Sequence, residues 1–105
     1  MASSSRLISV DFEVYGHVQG VFFRKHTQKE ANVLNLKGYC MNTKRGTVKG
    51  TLQGDIDKVN MMKVWLQKTG SPKSKIEKAE FSNEKQITSP SFNDFAIKKF
   101  GNFHF

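Results

Sequence analysis

ISVDFEVYGHVQGVFFRKHTQKEANVL, residues 8 to 34, changes period in its middle. Ile8, Val10, Phe12 and Val14 alternate with Ser9, Asp11 and Glu13, which predicts a strand over Ile8 to Tyr15 with one buried face. Gly16 to Val21 interrupts the alternation with two glycines. From Phe23 the period lengthens: Phe23, Thr27, Ala31 and Leu34 fall on one stripe, with Lys25, Lys29 and Glu30 mostly off it, the pattern of a surface helix. The stretch is therefore strand, glycine loop, helix.

The remaining elements follow the same logic. Leu36 to Met41 reads as a second strand and Thr47 to Gln53 as a third, with Val48 and Leu52 inward. Thr43 to Gly46 between them is a hairpin turn in which Gly46 takes positive φ. Asp55 is the natural N-cap of a second helix carrying Ile56, Val59, Met62 and Leu66 on its apolar stripe, with Trp65 at the margin. Gly70 and Pro72 stop it. Ser74 to Ser82 breaks strict alternation, so a bulged strand is expected there, and Phe92 to Phe100 holds a short fifth strand. The order strand, helix, strand, strand, helix, strand is the α+β ferredoxin-like βαββαβ sandwich: an antiparallel sheet with two helices on one face. The helix between strands one and two is a crossover, so those strands run parallel to each other and their C-terminal ends share one edge. The Gly16–Val21 loop and Asn42 both leave from that edge.

The chain has 105 residues, enough for one domain. We divide it into a flexible N-terminus over 1–6, a domain over 7–100 and a C-terminal tail over 101–105. Met1 to Arg6 is Ser-rich and too short for a signal peptide, and no run approaches the length of a membrane span. The lone Cys40 excludes an internal disulfide framework and a cysteine-rich zinc site, and points to a reducing, cytoplasmic setting. Seventeen Lys and Arg against nine Asp and Glu give a net charge of +8, which attracts anions: nucleic acid, an acidic membrane surface or a phosphorylated small molecule. The cations are scattered, as on a solvated surface, so charge alone does not choose.

A loop joining a strand to a helix can turn successive amides inward and build an anion nest at the helix N-terminus. Arg24 falls in the first helical turn, where a cation opposes the helix dipole unless an anion lies between them. Its planar fork suits a pair of phosphate oxygens. Val21 follows Gly20 where a Walker A loop requires Lys, so the loop is not of that kind. Taken alone, these residues are better read as a structural turn with a surface arginine.

Gly16-His17-Val18-Gln19-Gly20-Val21-Phe22-Phe23-Arg24 resembles the G-x-V-Q-G-V-x-F-R signature of the acylphosphatases, and Gly38-Tyr39-Cys40-Met41-Asn42, Gly46-Thr47-Val48 and Gly54 resemble the family's second signature. The resemblance runs from about residue 7 to residue 100 and is similar to the small eukaryotic members. It implies a metal-free, cofactor-free hydrolase of acyl phosphates. It implies that Arg24 binds the phosphate, that the loop amides of Gly16, His17, Val18, Gln19, Gly20 and Val21 hold the other phosphate oxygens, and that Asn42 positions the attacking water. The implied partners are small acyl phosphates, with acyl-phosphorylated proteins as larger candidates; from the residues we expect no nucleic-acid and no membrane partner, and a monomer is the default state. The chemistry is coherent: a carboxylate whose conjugate acid has a pKa of roughly 4 departs without a general acid, and phosphoryl transfer mainly demands positioning and charge neutralisation.

Other residues have plainer roles. Gln19 shapes the loop, Gly16 and Gly20 serve its backbone, and His17 is an exposed neighbour. His26 and Glu30 form a surface pair, Asp55 and Asp57 cap a helix, and Cys40 is a packed thiol. The rival function is an RNA-binding module of the same fold, which needs aromatics on an open central strand. Thr47 to Leu52 has none. A catalytically silent anion-binding domain is a third alternative, against which Arg24 and Asn42 both stand.

Overall fold

The computed structural model describes residues 6–98. Strand β1, Leu7–His17, buries Ile8, Val10, Phe12 and Val14 completely or nearly so, as the alternation requires. Helix α1, Phe23–Val33, follows and buries Phe23, Thr27 and Ala31. The Thr27 hydroxyl donates to the Phe23 carbonyl at 2.7 Å, which satisfies a polar group inside the core. Then come β2, Lys37–Asn42, and β3, Val48–Asp55, joined by a turn in which Gly46 has φ 87°. Helix α2, Ile56–Lys68, is capped by Asp55, whose carboxylate accepts from the Asp57 amide at 3.4 Å. It buries Val59, Met62 and Leu66 and ends before Gly70 at φ 61°. Strands β4, Lys75–Ile87, and β5, Phe95–Lys98, complete the fold.

The sheet order is β4-β1-β3-β2-β5. β3 runs antiparallel to both β1 and β2, so β1 and β2 point the same way, as the crossover helix demands. α1 packs over β2 and β5, and α2 over β3, β4 and β1, with the apolar core between helices and sheet. This is the ferredoxin-like α+β sandwich, with two departures in detail. β5 pairs parallel to β2, Gly38 opposite Phe95 and Met41 opposite Lys98, so the sheet is mixed and not wholly antiparallel. A strand's direction depends on the partner it finds, which a period-2 pattern does not encode.

The second departure concerns β1, which continues through Gly16 and His17, opposite Ile76 and Lys75, where a loop was expected. Gly16 has φ 127°, and a Cβ there would stand 2.1 Å from the Lys75 carbonyl oxygen. Glycine at this point permits close approach of β4 rather than a turn. β4 carries its expected bulge, the register slipping by one between Tyr15 and Gly16, and a second slip lies between Ser9 and Asp11. The Arg6 carbonyl accepts from the Ile56 amide at 2.9 Å. The rest of the proposed N-terminal segment, and the whole of the tail over 101–105, lie outside the described residues.

Candidate active site

β1 ends, the chain turns, and α1 begins over Val18 to Phe22. Val18 is buried and anchors the turn to the core, whereas Gly20 is exposed. Gly20 has φ 75° and Phe22, the N-cap of α1, has φ 60° and ψ 25°. Alternating left-handed residues turn neighbouring amides toward one side, the geometry of an anion nest. A non-glycine residue in this region costs about 1–3 kcal/mol. The helix start has no side-chain cap and no acidic residue in its first turn. Among the described residues, no amide from Val18 to Phe22 donates to a backbone carbonyl. Those amides are left without a backbone acceptor at the positive end of the helix dipole.

Arg24 and Asn42 meet in one depression of about 440 Å³, together with Val18 and Gly20. Phe22, Phe23, Lys25 and Ile97 line it too, none of which the sequence marks as site residues. Gly16, His17, Gln19 and Val21 are not part of this lining. The Arg24 guanidinium donates to the Lys98 carbonyl at 3.4 Å, and among the described residues it has no carboxylate partner. Glu13, which could have neutralised it, pairs with Arg45 instead. Asn42 Oδ1 is buried without a hydrogen-bond partner. An unpaired buried acceptor costs about 1–3 kcal/mol, so a group that arrives with a proton to donate is favoured there.

Gln19 holds the loop in place. Its Nε2 donates to the Thr43 and Thr47 carbonyls, each at 2.9 Å, and so ties the loop to the β2–β3 turn that follows Asn42. Thr47 Oγ1 in turn donates to Glu13 at 2.6 Å and lies 2.6 Å from Thr43 Oγ1. Burial pushes the Glu13 carboxyl up, but the hydrogen bonds from Thr47 and Arg45 outweigh it and hold its pKa below the ordinary value. His17 is exposed, as expected. His26 Nδ1 lies 3.0 Å from the Phe22 carbonyl oxygen and forms no ion pair with Glu30 among the described residues, so the surface pair expected from spacing is replaced by a contact with the helix cap. Cys40 is buried, its thiol near the Arg24 carbonyl at 3.8 Å; burial pushes the thiol up to about 12, against a smaller downward pull from Arg24. It is a packed thiol, unfit as a nucleophile at neutral pH.

Among the described residues, no group of three or more His, Cys, Asp and Glu side chains is arranged to hold a metal ion. The cationic side chains lining the depression are Arg24 and Lys25. A larger depression, about 640 Å³, lies around Asp11, Lys49 and Glu80, and it contains none of the expected site residues. Central strand β3 presents no aromatic side chain, so the platform an RNA-recognition domain requires is missing from it.

Known proteins bear directly on this arrangement. The acylphosphatase family model matches residues 10–97. Acylphosphatase-1 of Homo sapiens is 58% identical over 99 residues, covering 94% of this chain and 100% of the relative, and Acylphosphatase-2 of Homo sapiens is 49% identical over 98 residues, covering 93% and 99%. The crystal structure of acylphosphatase from Bacillus subtilis superposes with a TM-score of 0.79 at 28% identity, over 87% of this chain and 98% of that one. An acylphosphatase from Coxiella burnetii gives 0.78 at 28% identity, over 89% and 94%. With a family match over nearly the whole described fold and a relative 58% identical across almost the entire chain, the chain belongs to the acylphosphatase family.

Proposed function

We propose that this acylphosphatase hydrolyses acyl phosphates by a division of labour among Arg24, the amides of the loop from Val18 to Val21, and Asn42, the expected contribution of Gly16 and His17 being lost to the pairing of β1 with β4. The guanidinium and the amides take the three non-bridging phosphate oxygens. The water donates a hydrogen bond to Asn42 Oδ1, which leaves an oxygen lone pair directed at phosphorus. The new P–O bond forms as the bond to the acyl oxygen breaks. The electron pair leaves with the carboxylate, and the water's proton passes to a phosphate oxygen. Asn42 cannot take that proton, since its amide is not a base at neutral pH. Positive charge held in place before the reaction needs no reorganisation as negative charge shifts in the transition state.

One observation carries this reading: the buried, unpartnered Oδ1 of Asn42 lies in the same depression as Arg24. The substrates we assign are small acyl phosphates, with acyl-phosphorylated proteins as larger candidates. Among the described residues no helix is long and apolar enough to cross a membrane. We further assign a cytoplasmic monomer, in keeping with the single, buried, free cysteine.

The test is a rate comparison on purified protein between acetyl phosphate and an alkyl phosphate monoester, with and without EDTA. Rapid hydrolysis of the first alone, indifferent to the chelator, is expected, because an alkoxide cannot leave without an acid. Comparable rates on both, or activity abolished by EDTA and restored by magnesium, would contradict the mechanism.

A further inference from the structure

Phe22 is 74% exposed, the most exposed large apolar side chain among the described residues. It is also one of only three non-glycine residues there with positive φ. Its backbone is braced in that conformation: the Phe22 carbonyl accepts from the His26 amide at 3.0 Å and has His26 Nδ1 at 3.0 Å. An exposed aromatic and a left-handed backbone are each unfavourable, and here they coincide on one residue at the mouth of the site. Phe22 lines the Arg24–Asn42 depression and also an adjoining one of about 320 Å³ with Lys25, His26 and Lys29. It stands between the two, and Ile97 of β5 adds apolar surface to the first. The phosphate end of the depression is supplied by Arg24 and the amides, so these apolar groups are left to the other half of an acyl phosphate.

We propose that Phe22 is a specificity-determining residue that packs against the acyl group, so that the enzyme selects acyl phosphates with an extended apolar acyl chain over those with a short one. This rests on the acylphosphatase reading of the same site. A short acyl group ends close to the phosphate and does not reach the ring, whereas a longer chain covers it and removes apolar surface from water. The selectivity belongs to KM more than to kcat, because the contact is made equally before and during P–O cleavage.

Acetyl phosphate and hexanoyl phosphate test it, since their leaving carboxylates are of nearly equal basicity and differ in chain length. The variants are Phe22→Asn, which tolerates the left-handed backbone but is polar, and Phe22→Leu, which keeps an apolar side chain. In Phe22→Asn the ratio of kcat/KM for hexanoyl to acetyl phosphate should fall roughly tenfold, the scale of a lost apolar contact of this size, mostly through KM. Phe22→Leu should keep the ratio within about threefold of the parent, as expected of a partly retained contact. Competitive inhibition by inorganic phosphate, measured on each variant, separates acyl recognition from damage to the cradle. A proportional loss on both substrates that tracks weakened phosphate inhibition would overturn the proposal, as would an unchanged ratio in Phe22→Asn. Parent enzyme that hydrolyses neither substrate would overturn the acylphosphatase mechanism itself, a result distinct from either of these.

Discussion

At the residue scale, Arg24 and Asn42 are assigned different jobs, and their substitutions should separate. Arg24→Gln removes the one guanidinium in the depression and should lower kcat/KM by roughly 10²–10³-fold or more. Lys should rescue poorly, because a point charge cannot make the bidentate fork. Steady-state kinetics with a circular-dichroism check of folding measure this; Arg24→Gln with parental turnover would remove Arg24 from the site. Asn42→Ala should lower kcat severely while the inhibition constant for inorganic phosphate stays near the parental value. An active Asn42→Ala enzyme that had lost its phosphate affinity would reverse the two roles. Both assignments come from the sequence, through the two signatures and the shared sheet edge, and the fold brings the two residues into one depression. Phe22 and Ile97 were not legible there, because an apolar residue in a sequence reads as core. Only the fold reveals that the Phe22 ring faces solvent and that β5 brings Ile97 beside Asn42.

Among the elements, the helices were read best. The α1 and α2 stripes, the Asp55 cap and the Gly70 stop depend on neighbours three or four residues away, so local sequence contains their cause. The sheet was read less well where the cause is remote. Gly16 looked like a strand terminator, yet it is a strand residue whose missing side chain admits the carbonyl of Lys75, far along the chain. The turn between β2 and β3 supports a prediction at this scale. Glu13 on β1 holds it through Thr47 and Arg45, and its folded pKa lies below the ordinary value of 4.5. Between those two values the unfolded chain binds more protons than the folded one. The stabilisation is therefore present at neutral pH and lost as pH falls through the folded value. Urea midpoints for the parent and Glu13→Gln should differ at pH 7 in the parent's favour and converge below about pH 4.5. A gap that persists in acid would mean that packing, not ionisation, makes the difference.

For the whole molecule, the relevant quantity is the net charge of +8. An anionic substrate approaches through a positive field, which salt screens from about 30 Å at 0.01 M to about 8 Å at 0.15 M. Inhibition by inorganic phosphate should weaken several-fold over that range, and a titration with sodium chloride at fixed pH measures it. No salt dependence would mean that only the contacts inside the depression matter. The same charge was ambiguous in the sequence, where it suited nucleic acid as well as phosphate. The family match favours the phosphorylated small molecule.

The parallel pairing of β5 with β2 also orders events in time. Gly38 and Phe95 become neighbours only after the chain between them has closed a long loop, and contacts of that kind form slowly. Arg24 leans on the carbonyl of Lys98, at the far end of that last strand. During synthesis, the cradle and Asn42 emerge before the strand that braces the arginine. Bracing of Arg24 therefore has to follow the pairing of β5 with β2, and regained activity is expected to lag behind the formation of the β1–β3–β2 sheet in refolding.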